Sequence, residues 1–288
     1  MTTGIGKRPY PWCKRLVVTG LTLIPVSLTL LAACQSRILY FPRPYGAEIT
    51  TAWSRKTSGK TIQFLTNQGP QRAFLQGNLT SARNLWIVCG GNGSLALDWS
   101  DWLLKYAPAQ DAYLLVDFPG YGDCQGTPSP GSIRESFSAA VPAATAALGW
   151  SQPPDPARLR IFGHSLGAAA ALIAASELGI QRGVLLTPFT STMEMSRAIT
   201  GLPLGFLIWH RFDNSARLAE IAARGPAKIS IFHGTHDEII PVSMSHKLAG
   251  THPRIITLQE IPQGLHNSLQ ETHAPEIAAA MSDIGNKP

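Results

Sequence analysis

The stretch from Leu159 to Ile173 reads LRIFGHSLGAAAALI and decides how the rest of the chain is interpreted. Its first four residues are a short, mainly apolar run typical of a buried strand. Alanine-rich sequence with strong helix propensity follows Ser165. Between them lies Gly163-His164-Ser165-Leu166-Gly167, a G-x-S-x-G sequence. A strand, a tight turn and a helix in this order raise the serine hydroxyl above the end of a sheet, and the two glycines let strand and helix approach.

A serine at such a turn becomes a nucleophile only if a base takes its proton and an acid orients that base. In the fold that carries this turn, the order along the chain is serine, acid, histidine. Asp237 follows a strand predicted over 228–232, and His266 follows one predicted over 255–258. Both lie beyond the carboxyl ends of their strands, where parallel sheets hold active sites. We therefore expect Asp237 and His266 to complete the site, with Glu238 as the competing acid.

The other histidines fit the role of the base less well. His164 lies inside the turn itself, and we expect His233 to cap the turn near Asp237. His210 falls in an irregular stretch. The remaining four have the pattern of solvent-facing residues: His236, His246, His252 and His273.

A glycine-rich turn follows the predicted strand 85–89 and reads Gly90-Gly91-Asn92-Gly93. Backbone amides in such a turn can stabilise the anion that forms when a serine attacks a carbonyl group. We expect the amide of Asn92 to do so, with that of Gly93 second, together with the amide of Leu166.

Short apolar strands alternate with helical patterns along most of the chain. Strands are predicted over 61–66, 72–76, 85–89, 112–116, 159–162, 183–186, 228–232 and 255–258, the first two as a hairpin. Helices are predicted over 95–106, 133–148, 165–178, 242–248 and 270–284. Pro142 lies inside the second helix, where proline favours a kink. This alternation indicates an α/β fold, a mainly parallel sheet with helices on both faces.

Several motifs together resemble the short-lid α/β-hydrolases related to serine aminopeptidase-like and depalmitoylase-like enzymes. They are Gly91-Asn92-Gly93, Asp117-Phe118-Pro119-Gly120-Tyr121-Gly122, Gly126-Thr127-Pro128-Ser129, Gly163–Gly167, Pro188-Phe189-Thr190-Ser191, and His233-Gly234-Thr235-His236-Asp237 with Ile240-Pro241. The resemblance implies an α/β-hydrolase domain over 59–285 with a lid at 187–224. A histidine usually precedes the Gly-Asn pair in this family, whereas this chain has Gly90. We expect Asp117 and Tyr121 to shape the pocket wall and its turn.

The predicted lid carries many apolar residues, among them two methionines, a phenylalanine and a tryptophan between Met193 and Trp209. Such a lid would suit an acyl chain or another apolar substrate, but the same residues could equally attach the lid to the domain. Cleavage of a carboxylic ester or thioester is the first hypothesis, and cleavage of a peptide bond is the second.

The N-terminus has the pattern of a targeting segment. Four cationic residues precede the apolar stretch 16–33, which ends in Leu31-Ala32-Ala33-Cys34. This resembles a bacterial lipoprotein signal, which implies removal of residues 1–33, lipidation of Cys34 and an anchor and linker over 34–58. Gln35 resembles the residue that directs such proteins to the outer membrane of Gram-negative cells. The alternative is an uncleaved membrane-spanning helix.

Charge and cysteine content limit the partners. Of the net charge of +6, four charges belong to the N-terminal segment, so the remaining +2 does not favour nucleic acid. No cluster of cysteine and histidine has metal-ligand spacing, so we expect no metal and no other cofactor. Cys89 and Cys124 fit either a disulfide or two unpaired thiols. The sequence does not define an oligomeric state.

Two other classes of protein share part of the pattern. Gly91 to Ala96 also matches G-x-G-x-x-A, with Asp117 ending the next strand, as in a dinucleotide site. That motif belongs on the first strand of its domain, however, and a hairpin precedes it here. A non-catalytic binding protein with a hydrolase fold would leave the serine, aspartate and histidine unexplained.

Overall fold

The computed structural model describes residues 35–286, and an eight-stranded sheet forms its centre. The strands are β1 (Lys60–Thr66), β2 (Gly69–Gly77), β3 (Leu85–Cys89), β4 (Ala112–Val116), β5 (Leu159–His164), β6 (Arg182–Leu186), β7 (Lys228–Gly234) and β8 (Ile256–Ile261). Their spatial order is β1-β2-β4-β3-β5-β6-β7-β8. Strand β2 pairs antiparallel with β1 and with β4, and the other neighbours are parallel. The predicted, mainly parallel sheet with its leading hairpin is confirmed.

Helices cover both faces of this sheet. They are α1 (Gln35–Leu39), α2 (Ile49–Thr57), α3 (Ser100–Tyr106), α4 (Pro130–Ala147), α5 (Leu166–Leu178), α6 (Thr192–Thr200), α7 (Asn214–Ala223), α8 (Ser243–Thr251), α9 (Leu269–Thr272) and α10 (Ala274–Asn286). Short 3₁₀ turns occupy Ala96–Trp99, Pro156–Arg158 and Leu204–Leu207. Two predicted helices are each divided in the structure, because 95–106 begins as a 3₁₀ turn and the closing helix breaks at His273. Pro142 lies within α4, which continues to Ala147.

Successive residues of the central strands belong to two different cores. In β3, the side chain of Ile87 packs in one core with α4, α5, α7 and α8. The side chain of Trp86 packs in the other core with α2, α3, α9 and α10. Because side chains alternate across a strand, a strand that is buried on both faces reads as a continuous apolar run. This explains why the five residues of β3 are all buried.

The segment 35–58, which we expected to be a linker, packs against the domain. It forms α1 and α2, and it buries Tyr40 and Trp53 in the two cores. The indole Nε1 of Trp53 donates to Gln76 Oε1 at 2.7 Å. Cys34 and the predicted signal segment lie outside the described residues. Within residues 35–286, no helix is long and apolar enough to cross a membrane.

The segment predicted as a lid, 187–224, divides into two parts. A β-bridge between Ser191 and Asp213 closes the base of an excursion that contains α6 and the 3₁₀ turn Leu204–Leu207. Helix α7 follows, and its Leu218 and Ile221 are fully buried in the core beside α5. The part that leaves the domain is therefore limited to about 192–212, and α7 belongs to the layer of helices over the sheet.

Cys89 and Cys124 are both buried and unpaired. The thiol of Cys124 lies 3.3 Å from the backbone oxygen and nitrogen of Arg72 on β2. The sequence left a disulfide and two unpaired thiols as alternatives, and the structure has the unpaired thiols.

Candidate functional site

Ser165 lies at a sharp turn between β5 and α5. Its φ of 56° and ψ of −121° are unusual for a residue with a side chain, and its amide donates to Leu186 O at 2.9 Å. The glycines on each side are required by close packing. A Cβ atom at Gly163 would lie 2.5 Å from Gly167 O, and one at Gly167 would overlap the Cys89 carbonyl oxygen. The predicted strand–turn–helix arrangement is therefore present.

The strand order brings two separate loops to this serine. Strand β3 lies between β4 and β5, and Cys89 at its end is level with Gly163 of β5. The chain therefore leaves β3 toward one side and β5 toward the other, which opens a crevice beyond their carboxyl ends. The glycine-rich turn after β3 and the serine after β5 meet in this crevice.

The three residues predicted to act together are joined by hydrogen bonds. The Nε2 of His266 lies 2.9 Å from Ser165 Oγ, and its Nδ1 lies 2.8 Å from Asp237 Oδ2. The imidazole is 4% exposed and the carboxylate is fully buried. A histidine held in this way has its Nδ1 proton directed at the carboxylate, which leaves Nε2 as an acceptor for the serine proton.

Asp237 is held from several directions. Its Oδ1 accepts from the amides of Ile239 and Ile240 at 2.9 and 2.7 Å, and the Nε2 of His233 lies 3.2 Å from Oδ2. Burial raises the pKa of Asp237, but the hydrogen bonds from His233, His266 and the Ile240 amide outweigh it. The pKa therefore lies well below its usual range, and the carboxyl group is ionised at neutral pH.

Glu238 contacts the same histidine at a different group. Its Oε2 accepts from the backbone amide of His266 at 3.0 Å, whereas the imidazole turns to Asp237. Of the two acids that compete in the sequence, the structure joins Asp237 to the ring.

His164 is a second histidine at the site, and its role was missed in the sequence. Its Nε2 lies 3.1 Å from the backbone oxygen of His266, so this nitrogen carries the proton and donates it. Burial, and then the nearby charge of His266, lower the pKa of His164 to about 4. A neutral, buried donor therefore holds the loop of His266. Since the middle positions of G-x-S-x-G are unspecified, the motif alone gave no signal for this contact.

Asn92 and Leu166 line the same cavity as Ser165, as expected for the two amides that would face an oxyanion. Gly93, the second candidate on this loop, is exposed and does not line the cavity. Its carbonyl oxygen accepts from Arg43 Nε at 3.2 Å on the outer side of the turn.

Tyr121 braces this loop from the turn after β4. Its hydroxyl donates to Asn92 O at 2.5 Å and accepts from the amide of Phe41 at 2.9 Å. The space beside Gly90 is filled, because a Cβ there would lie 2.7 Å from Ser94 Cβ. The loop is thus held by the turn after β4, which carries Tyr121, and by Phe41, which follows α1.

Asp117 supports the first residues of the following 3₁₀ turn. Its Oδ1 accepts from the amide of Ala96 at 2.8 Å, and its Oδ2 accepts from Tyr45 Oη at 2.7 Å. Burial raises its pKa to about 7. A dinucleotide site would need this carboxylate to face a ribose, but the carboxylate is buried and both oxygens are engaged within the protein.

A cavity of about 360 Å³ opens at Ser165. Its walls come from α1, the glycine-rich turn 90–93 (the expected oxyanion loop), the lid and the turn after β7. None of the lining residues carries a charge: Gln35, Ile38, Leu39, Asn92, Ser165, Leu166, Phe189, Thr192, Met195, Ser196, Ile199, Thr200, Leu204, Leu207, Ile208, Ile239 and Ile240. Over residues 35–286, no group of three or more histidine, cysteine, aspartate and glutamate residues is arranged to hold a metal ion.

Comparison with known proteins gives the family of the chain. The sequence model of the Alpha/beta hydrolase family matches residues 87–275, about two-thirds of the chain. The chain belongs to the alpha/beta hydrolase family. An uncharacterized protein of Mycobacterium tuberculosis is 28% identical over 241 residues, which cover 82% of each chain.

Solved structures share the alpha/beta hydrolase fold at lower identity. An esterase of Pyrococcus furiosus superposes with a TM-score of 0.63 at 16% identity, over 85% of this chain and 96% of the other. An alpha-beta hydrolase of Vibrio vulnificus gives 0.62 at 17% identity, over 83% and 88%. At these identities the likeness concerns the fold.

Proposed function

We propose that the protein is a serine esterase that hydrolyses carboxylic esters or thioesters of an apolar acyl group. The observation that carries this proposal is the hydrogen-bonded series Ser165, His266 and Asp237, whose serine lines an uncharged cavity. The esterase of Pyrococcus furiosus, which shares the fold, is consistent with this activity.

In the proposed reaction, Ser165 Oγ attacks the substrate carbonyl carbon while His266 Nε2 accepts the hydroxyl proton. The amides of Asn92 and Leu166 stabilise the oxyanion. The carbon–oxygen or carbon–sulfur bond then breaks, and His266 returns the proton to the leaving alcohol or thiol. Water then loses a proton to His266 and attacks the acyl carbon. The bond from that carbon to Ser165 Oγ breaks, His266 gives the proton to Oγ, and the acid is released.

The lining of the cavity favours an ester over a peptide. An aminopeptidase must bind a charged amine, and among residues 35–286 no acidic side chain lines this cavity. Apolar groups such as Met195, Leu204 and Ile208 suit an acyl chain instead.

A fluorophosphonate probe, which forms a covalent bond with activated serines, tests the proposal. We expect the native protein to be labelled and Ser165→Ala to be unlabelled, with Ser138→Ala, an exposed serine on α4, as the matched control. Turnover of p-nitrophenyl esters of graded chain length should exceed that of aminoacyl anilides. Labelling that persists in Ser165→Ala, or faster turnover of the anilides, would contradict the assignment.

We also propose that lipidation of Cys34 attaches the protein to the bacterial cell envelope, at the outer membrane in a Gram-negative host. The Leu31–Cys34 sequence after an apolar stretch supports this. Mass spectrometry of the mature N-terminus should find an acylated Cys34, and Cys34→Ala should retain residues 1–33. A mature chain that begins at Met1 would favour the membrane-spanning alternative.

A further inference from the structure

Apolar side chains line the cavity and also surround its opening on the protein surface. Ile38, Ile199 and Ile239 line the cavity, yet they are 54%, 73% and 49% exposed, so they lie at its opening. Four more large apolar side chains in the same segments are more than half exposed. Together these residues form the apolar rim: Ile38, Phe41, Ile199, Leu202, Phe206, Trp209 and Ile239. Exposed apolar patches of this kind mark surfaces that contact a partner or a membrane.

The start of the described chain is fixed at this rim. Gln35, at the N-terminus of α1, is buried, and its side-chain amide donates to Leu207 O. The amide of Trp209 donates to Gln35 Oε1 at 2.7 Å. Tyr40 Oη, just after α1, lies 3.1 Å from His210 Nδ1. Residue 35 is therefore attached to the lid beside the cavity.

The sequence before residue 35 indicates what the apolar rim contacts. It contains the apolar stretch 16–33 followed by Cys34, which implies a membrane anchor whether the cysteine is lipidated or the stretch spans the bilayer. In either case the chain leaves the membrane within one residue of α1. The rim is thus next to the bilayer surface.

Basic residues predominate in these segments, with three arginines against Glu194 on the lid and the exposed Glu238 beside Ile239, and this balance suits anionic headgroups. Arg37, Arg197 and Arg211 are exposed, and none of them forms an ion pair within the described part of the chain. The acid on the lid, Glu194, is paired with Lys247 at 2.5 Å. Exposed arginines beside an apolar surface are typical of segments that bind anionic lipid.

We propose that the apolar rim docks on an anionic phospholipid bilayer, so that the acyl chain of a membrane-lipid ester enters the cavity directly from the membrane. Docking of the rim does not depend on the proposed esterase activity. The assignment of a membrane-lipid ester as substrate rests on that activity. The bilayer covers side chains that would otherwise expose apolar area to water.

Docking is tested with the full-length protein in vesicles of phosphatidylcholine and phosphatidylglycerol. Brominated phospholipids quench tryptophans that enter the acyl region. We expect the quenched fluorescence to be smaller in Trp209→Phe than in the wild type, because Trp209 contributes to it. Equal quenching in the two proteins would mean that a second copy or the protein's own N-terminal segment covers the rim, and this would overturn the proposal.

Substrate entry is tested with two esters. The double variant Phe206→Ser/Trp209→Ser should hydrolyse a long-chain ester in these vesicles at least ten-fold more slowly than the wild type, with turnover of soluble p-nitrophenyl butyrate changed less than two-fold. The control Leu65→Ser/Leu104→Ser removes exposed side chains elsewhere and should change neither rate. An equal loss on both esters would overturn the proposal. Quenching at Trp209 with no wild-type turnover of either ester would leave docking intact and refute the esterase activity.

Discussion

The imidazole ring of His164 lies beside that of His266, with 5.1 Å between the ring centroids. One ring belongs to the turn that presents Ser165, and the other ring accepts its proton in the proposed reaction. The hydrogen bond from His164 Nε2 to the backbone of His266 therefore ties the base to the turn that carries the nucleophile.

His164 should make folding sensitive to pH. Its pKa is about 4 in the folded protein and about 6.5 in an unfolded chain. Between these values the unfolded chain binds a proton that the folded protein does not, so stability falls as the pH falls from 6.5 toward 4. Lowering the pH from 6.5 to 4.5 should decrease the free energy of unfolding of the wild type by about 2 kcal/mol more than that of His164→Gln, which keeps a side-chain donor.

Urea unfolding at several pH values measures this difference. His236→Gln, at an exposed position, should follow the wild type. If plots of the free energy of unfolding against pH remain parallel for wild type and His164→Gln down to pH 4.5, His164 is not the source of the pH dependence.

The two adjacent acids should differ sharply in their effect on catalysis. Asp237→Asn removes the carboxylate that sets the tautomer of His266, and we expect kcat/KM to fall by about 10³–10⁴. Glu238→Gln keeps an oxygen for the backbone amide of His266, so kcat/KM should change less than about three-fold. Steady-state ester hydrolysis measures both, and similar losses in the two variants would refute the assignment.

Tyr121 should affect catalysis through the oxyanion loop. Tyr121→Phe removes the hydroxyl between Asn92 O and the Phe41 amide, which should loosen the loop. We expect kcat to fall about ten-fold with little change in KM, since loss of a direct donor costs about 10²–10³. Tyr113→Phe is the matched control, because its buried hydroxyl donates to Pro108 O at the other end of the sheet. An equal effect of both variants would indicate a general loss of stability.

The sequence predicted the strands and the three hydrogen-bonded residues because their signals are local. A buried strand such as β3 is a continuous apolar run, and Asp237 and His266 each follow one strand directly. The lid boundary was predicted less well, since the apolar residues of α7 have the same composition as those over the cavity. Only tertiary packing distinguishes Leu218, which is fully buried in the core, from Leu202, which is exposed.

Contacts between distant segments were beyond the sequence for a similar reason. The hydroxyl of Tyr121 meets Asn92 across 29 residues, and Gln35 meets Leu207 across 172. No periodicity or motif encodes such a pairing. This is why 35–58 had the pattern of a linker, although the fold uses it to brace the oxyanion loop and the lid.

The cavity wall should set the preferred length of the acyl chain. Ser196 on α6 lines the cavity, and Ser196→Trp would fill part of its 360 Å³. A long acyl chain then loses space that a short one does not use, so the ratio of kcat/KM for a twelve-carbon ester to that for a four-carbon ester should fall about ten-fold or more. Ala198→Trp is the matched control, because Ala198 is exposed on the same helix and does not line the cavity. Measurements on p-nitrophenyl esters decide the matter: an unchanged ratio in Ser196→Trp would mean that the acyl chain lies elsewhere, since a bulky indole in its path must discriminate by length.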